Sequence, residues 1–574
     1  MKSNIAKIPT RPKRQFVDED LIIDSWQKIE VYFKSLLDRK INSVADLEQW
    51  MLDRSELESV MQEEIAWRSI KRSINTKDKK LLKDYTFWIQ EISPKADPFS
   101  HQLDLKLNSS HFLKELDNEK YHIYLRGLQK SIELYRDENI PLFVELNTKK
   151  EEYSAITAKR TVEIDGQKMT MQKAAQYFKD TNRDKREEVF NIISTKNLQD
   201  VHALDQLFDE LISLRQQIAK NAGFENYRDY KFVSLGRFDY TTEDCYNFHQ
   251  SIAKEIVPIT DGFDKDRMQK MGLDDYKPWD TLVDSSGKAP LKPFEGGEDL
   301  INKSIRCFER LRPYYGECLR TMKAMNHIDL ESKDGKAPGG FNCALLEIGV
   351  PFIFMNAVGS QRDLVTMVHE GGHAIHSFLC RDLPLANFKS IPSEVAELAS
   401  MSMELISMDT WDEFYNSQEE LNRAKKEQLQ SVLDKLPWIA AIDRFQHWIY
   451  TTPHTADERR AEWENIMSEL SSSLVNWDGY EKVSKNQWQL QLHLFRVPFY
   501  YIEYGMAQLG AIAMWRSYKQ LGGKALDNFD AALKLGYTKS IGELYQKAGI
   551  EFNFSQEYVK ELADFIKVEL ASMN

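Results

Sequence analysis

Cysteine is scarce in this 574-residue chain. Its five residues, Cys245, Cys307, Cys318, Cys343 and Cys380, are odd in number and form no C-x-x-C pair. Neither a disulfide framework nor a cysteine-based zinc site is expected, and all five read as ordinary reduced thiols. Long apolar runs are also missing. No stretch reaches the roughly eighteen apolar residues that a membrane-spanning helix needs, and the opening MKSNIAKIPTRPKRQF lacks the apolar core of a secretory signal. The expected address is the cytoplasm, with no membrane partner. Positive charge is in deficit, with 76 Lys and Arg against 89 Asp and Glu and a net charge of −13. A nucleic-acid partner, which requires concentrated positive charge to displace counterions, is not expected. The short run Lys77, Lys79, Lys80 and Lys83 is broken by Asp78 and two leucines and reads as a solvated helix face. There is no internal repeat.

What is present is ordinary for a folded soluble protein: 42% hydrophobic, 11% aromatic and 29% charged residues. The length exceeds what one core usually serves, so two or more cores or one large two-lobed body are expected. Apolar residues recur every three to four positions over 20–40, 110–137, 182–222, 297–326 and 411–435, which predicts a mainly α fold. Ser43-x-x-Asp46 reads as a capping box, and Asn221-Ala222-Gly223 as a helix stop. Asp165-Gly166 between alternating residues predicts a β-hairpin over 161–170. A Pro- and Gly-rich stretch from about 274 to 298 predicts a long loop. The pieces IDLES, FNCALLEI and PFIFMN predict a small antiparallel sheet just before the segment that carries chemistry.

That segment is SQRDLVTMVHEGGHAIHSFL, from Ser360. Ser360-x-x-Asp363 caps a helix containing H-E-x-x-H. Residues four apart share a helix face, so His369 and His373 can both reach one zinc ion at about 2.0–2.1 Å. Glu370 lies to one side, placed to act on water. Gly371 and Gly372 stand mid-helix, where each costs roughly 0.8–1.0 kcal/mol relative to alanine, and their missing side chains would let another backbone or a substrate come close. A third ligand is needed. His376 lies about 10.5 Å along the helix from His369 and is a poor candidate; the pattern H-E-x-x-H-x-x-G-x-x-H fails at positions 376 and 379. A glutamate of IPSEVAELASMSMEL is the natural choice, and spacing alone leaves Glu394, Glu397 and Glu404 available.

The stretch from PFIFMNAVGSQRDLVTMVHEGGHAIHS to PSEVAELASMSMEL resembles the oligoendopeptidase F and thimet oligopeptidase family of zinc metallopeptidases, through the H-E-x-G-H-x-x-H core, the preceding P-F-I-F-M-N strand and the downstream E-x-A-S-x-x-x-E pattern. The similarity extends over about 200–574 and includes NAGFENYRDY. The resemblance implies that Glu397 is the third ligand of a single Zn²⁺ and that Glu404 orients a ligand histidine. HLFRVPFYYIEYG at 493–505 resembles the family's C-terminal histidine and tyrosine segment, which implies roles for His493, Tyr500 and Tyr504 in stabilising the tetrahedral intermediate; Tyr501 competes with Tyr500 for its place. The implied fold is a large helical two-lobed body with a deep central channel and a small antiparallel sheet beside the H-E-x-x-H helix. The expected division is an N-terminal helical region with a hairpin, 1–195, and a metallopeptidase domain, 196–574.

The expected activity is hydrolysis of internal bonds in short unstructured peptides, with zinc and Glu370 activating water, Glu370 then protonating the leaving amine, and the edge of PFIFMN binding the peptide as an added strand. The alternatives are a zinc carboxypeptidase or dipeptidase of similar fold and a non-catalytic peptide-binding protein.

Overall fold

The computed structural model describes residues 8–573. Helices account for most of them, with one two-stranded and one three-stranded sheet. The chain forms two compact units. The first gathers the chain through Ile132, Leu291–Ala424 and Gly510–Phe552; the second gathers Glu133–Pro290, Lys425–Leu509 and the chain from Asn553 onward. The division expected at 195/196 does not coincide with these units, since it falls inside the helix Arg183–Leu198 of the second. Packing rather than chain order sets the units. Leu385 and Phe388, for example, share one core with Leu36, Leu47 and Trp50 from far upstream.

In the first unit the long helix Val44–Ile74 begins at Ser43, whose hydroxyl accepts the Asp46 N–H. The Asp46 carboxylate returns to the N–H of Asn42 rather than of Ser43, so the expected capping box is shifted by one residue on that side. The N-terminal turns of this helix bury Leu47, Trp50 and Leu57 in the first core. Its last turns place Ala66 and Ile70 against Phe352 and Phe354. Each such side chain taken out of water contributes on the order of 1.5–3 kcal/mol.

Phe352 and Phe354 belong to the three-stranded sheet of β3 (Ile328–Glu331), β4 (Phe341–Cys343) and β5 (Phe352–Ala357), in the order β3-β5-β4. The sheet expected to be antiparallel is mixed: β5 is antiparallel to β4 but parallel to β3. Burial explains the order. Phe352, Ile353, Phe354 and Met355 are all buried, so both faces of β5 are covered, and such a strand belongs in the middle. The expectation that the PFIFMN edge receives a peptide is corrected by the same fact, because β5 is paired on both sides and the edges belong to β3 and β4.

The second unit opens its small sheet with β1 (Thr161–Ile164) and β2 (Gln167–Thr170), an antiparallel pair. Asp165 and Gly166 take φ of 52° and 71°, the two positive values of a type I′ turn. The helix Val201–Asn221 stops where Gly223 turns to φ 89°. Three helices further on, the irregular stretch expected from about 274 to 298 is pinned by Asp280, fully buried, which pairs with Arg183 and Arg186 at 2.7 Å each. Among the described residues, no helix is long and apolar enough to cross a membrane.

Candidate active site and metal centre

The histidine helix, Gln361–Cys380, starts at a full capping box: Ser360 accepts the Asp363 N–H, and the Asp363 carboxylate accepts the Ser360 N–H at 2.9 Å. It packs on the glutamate helix, Ser393–Ile406. The two mid-helix glycines explain how closely. A β-carbon on Gly372 would lie 2.6 Å from the Ser400 Cα and 2.7 Å from the Ala399 carbonyl oxygen, a clash with backbone that nothing flexible can relieve. One on Gly371 would stand 2.8 Å from the Phe308 ring. Of the glycines that weaken the helix locally, Gly372 therefore lets two main chains touch and Gly371 admits the Phe308 ring.

This contact brings ligand atoms together. One atom each from His369, His373 and Glu397 lie within 4.8 Å of one another. Glu397 Oε2 is 3.4 Å from His369 Nε2 and 3.9 Å from His373 Nε2, and the two imidazole planes stand at 86°. On the far side of its ring His369 Nδ1 donates to Glu404 Oε1 at 2.6 Å. In the neutral ring that leaves Nε2 as a lone pair facing a carboxylate oxygen, an arrangement relieved either by a second proton on the ring, which Glu397 and Glu404 favour against the effect of burial, or by a cation between the two atoms. Ser400 donates to Glu397 Oε2 at 3.2 Å and orients it. The residues present thus fit a divalent ion of the zinc type, with two nitrogens, one oxygen and an outer carboxylate.

Glu370 is buried beside this cluster, and burial pushes its carboxyl up to about 7, opposed by His369 and reinforced by Glu397 and Glu404. Its backbone carbonyl accepts from the Asn342 side chain of β4 at 3.2 Å, which ties the sheet to the helix at this residue. Glu394 is also buried on the glutamate helix but is not in the converging set; its carbonyl accepts from Tyr545 at 3.0 Å. His376 is separate too. It is buried, its Nε2 has no hydrogen-bond partner, and burial pushes its ring down to about 3.

His493, Tyr500 and Tyr504 lie in the second unit and form a group of their own. The His493 ring is 6.2 Å from Tyr500 and 6.0 Å from Tyr504, while Tyr501 comes closer at 4.7 Å. Two buried arginines, which sequence reasoning missed, hold their segment. Arg215 donates to the carbonyls of Leu494 and Phe495, and Arg237 donates to the Phe499 carbonyl and pairs with Glu503 at 2.8 Å. Phe499, at φ 65°, occupies a conformation costly for its residue type and is fixed there as its N–H reaches Gln446.

A second missed feature fixes a proton. The Trp438 indole, which can only donate, gives its N–H to Gln491 Oε1 at 2.9 Å. The Gln491 amide is thereby oriented with its NH₂ toward His493 Nδ1, at 2.6 Å. His493 accepts there and carries its own proton on Nε2. Burial pushes this imidazole down to about 4, so the neutral ring is the form that presents that N–H.

Comparison with known proteins agrees with this architecture. The sequence signature of Peptidase family M3 spans residues 176–564, and that of the Peptidase M3 N-terminal domain spans 16–135. The chain belongs to peptidase family M3. Among its relatives are an oligoendopeptidase F homolog of Lactococcus lactis, 22% identical over 58% of this chain and 55% of that protein, and oligopeptidase PepF of Bacillus subtilis, 21% identical over 61% and 52%. The match thus spans a little over half the length of these curated relatives. The fold is similar to that of PZ peptidase A with an inhibitor, at a TM-score of 0.89 and 24% identity over 97% of this chain and 99% of that one. It is also similar to a putative oligoendopeptidase F of Bacillus anthracis, at a TM-score of 0.85 and 22% identity over 98% and 99%.

Proposed function

We propose that this chain is a zinc-dependent endopeptidase that cleaves internal bonds of short, unstructured peptides. The observation that carries the reading is the convergence of His369, His373 and Glu397 around one point, with the raised carboxyl of Glu370 next to a ligand in the chain. When bound, zinc supplies Lewis acidity to the scissile carbonyl and brings the pKa of a coordinated water toward about 7. Glu370 takes the proton of the attacking water and passes it to the leaving amine. Glu404 keeps His369 in the tautomer that frees Nε2, and Ser400 holds Glu397.

The Tyr504 hydroxyl, with the Nε2–H of His493 or the Tyr500 hydroxyl assisting, donates to the developing oxyanion; one such donor is typically worth about 10²–10³ in rate. The match to the family segment supports these roles, as does the tautomer set by Trp438 and Gln491. Trp438 and Gln491 both bear on the Tyr501 phenol, which favours Tyr500 over Tyr501 for the assisting role. The peptide lies along β4, the edge strand whose Asn342 is bonded to Glu370, and main-chain hydrogen bonds give affinity that tolerates many sequences. Five cysteines without a disulfide suit action in the reducing cytoplasm.

The test is hydrolysis of an end-blocked, internally quenched peptide by wild type and Glu370→Gln, with metal measured on the same samples. Cleavage by wild type and its loss in a zinc-replete variant support the reading. A metal-loaded wild type that cuts only peptides with a free terminus replaces it with a carboxypeptidase or dipeptidase, and a chain that neither cuts nor binds metal at this cluster replaces it with a peptide-binding protein.

A further inference from the structure

A second cluster of metal-ligating side chains lies wholly inside the second unit. Cys245 and His249 are one turn apart on the helix Thr242–Glu255, and Asp443 and His447 are one turn apart on the helix Gln418–Thr451. The sulfur of Cys245, a carboxylate oxygen of Asp443 and a ring nitrogen of His447 lie within 4.8 Å of one another. His249 Nε2 donates to Asp443 Oδ2 at 2.9 Å, and His447 Nε2 stands 3.2 Å from the same oxygen. The Cys245 sulfur also approaches the Thr241 carbonyl at 3.4 Å. No residue of the four is more than 2% exposed. The surroundings are aromatic: Tyr246, Phe499 and Phe232 lie 5.0, 5.4 and 5.8 Å from the His447 ring.

The hydrogen bonding does not close. His249 Nδ1, Asp443 Oδ1 and His447 Nδ1 are buried without hydrogen-bond partners, and His447 Nε2, though 3.2 Å from Asp443 Oδ2, makes no well-aligned hydrogen bond. Each orphaned polar atom of this kind costs about 1–3 kcal/mol. Three such atoms beside a poorly aligned fourth are too many for a network whose purpose is its own stability. A divalent ion eases the conflict: bound by one nitrogen of His447 and one oxygen of Asp443 it takes up two of these atoms, and with one thiolate and one carboxylate the site is electrically neutral, which an aromatic interior demands. Around a tetrahedral zinc, ligand atoms stand roughly 3.4–3.6 Å apart, so the three groups need close in only slightly. The mixture of sulfur, nitrogen and oxygen suits zinc and disfavours calcium or magnesium, which take oxygen ligands.

We propose that Cys245, Asp443 and His447 bind a second zinc ion, distinct from the one at His369, His373 and Glu397, with His249 orienting the Asp443 carboxylate. Sealed from solvent, this ion does not meet substrate; it ties the helix Thr242–Glu255 to the helix Gln418–Thr451. It enters during folding and stabilises the folded state.

The test separates the two clusters by their chemistry, because only the second contains sulfur. Chain produced in zinc-poor, cobalt-supplemented medium should show a thiolate-to-cobalt charge-transfer band. The band should persist in Glu397→Ala, which empties the first cluster, and vanish in Cys245→Ser. In zinc medium, Glu397→Ala should retain one equivalent of metal per chain, and Glu397→Ala with His447→Gln should retain none. A wild type without the band, whose Glu397→Ala variant holds no metal, overturns the proposal, as does a band that survives Cys245→Ser. If Cys245→Ser fails to fold, the wild-type spectrum and the metal content of Glu397→Ala still decide.

Discussion

The two clusters share a plan: histidines or carboxylates one turn apart on a helix, met by a ligand from a second helix. They differ in what surrounds them. The His369 and His373 side chains are each 19% exposed, whereas Asp443 and His447 are at most 1% exposed. Exposure of the first cluster's ligands suits the catalytic ion proposed there, which needs a position open to water and substrate, whereas burial of the second suits only a structural ion. The outer partners differ as well. Glu404 and Ser400 leave the atoms of the first cluster pointing at one another, while the second retains three atoms with nothing to bond. In the two proposed sites the same donor types serve two purposes, and solvent access tells them apart.

This contrast can be broken most severely at Glu397. Its replacement by alanine removes the oxygen facing both imidazoles, and peptide cleavage together with the metal of the first cluster should be lost, read as turnover and zinc stoichiometry; zinc retained there in full moves the third ligand to Glu394. Next comes Glu370→Gln, expected to keep the metal while turnover drops by about 10²–10⁴, the usual contribution of a general base. Normal turnover in a well-folded variant removes Glu370 from the reaction. Tyr504→Phe should lower kcat by about 10²–10³ with zinc content unchanged, and an unaltered kcat excludes its hydroxyl from the oxyanion site. Glu404→Gln should weaken metal binding at the first cluster by about 10–100-fold in competition with a chelator, with the second cluster untouched. The smallest effect concerns pH. Burial holds His493 near 4, so its neutral form works throughout, and His493→Gln should reduce kcat by the same factor at pH 6 and pH 8. A penalty that grows toward low pH identifies the imidazolium as the working form instead.

Local periodicity is enough to read several elements from the sequence alone. The capped helix carrying His369 and His373 follows from Ser360, Asp363 and a spacing of four, and the Asp165-Gly166 turn from the need for two positive φ values. The mixed order of β3, β5 and β4 was not legible, because pairing depends on which strand is covered on both faces rather than on chain order. Spacing also left Glu394 and Glu397 level; their roles depend on how the glutamate helix is rotated against its neighbour, which is a packing property. Arg215, Arg237 and the relay from Trp438 through Gln491 to His493 act through contacts between distant segments and leave no local pattern. The same holds for the second cluster. Its two pairs, each with a spacing of four, are ordinary in isolation, and His249 and Asp443 meet across 194 residues of chain.

The contact at Gly372 has a consequence for ion choice. Where two helices rest main chain on main chain, their separation is set by hard contact and not by adjustable side-chain packing. The site then behaves like a fixed-jaw gauge. The zinc proposed at this cluster, with bonds near about 2.1 Å, suits a close spacing, whereas calcium, which asks for about 2.3–2.6 Å, suits a wider one. A residue with no side chain at all thereby becomes a sieve for ionic radius.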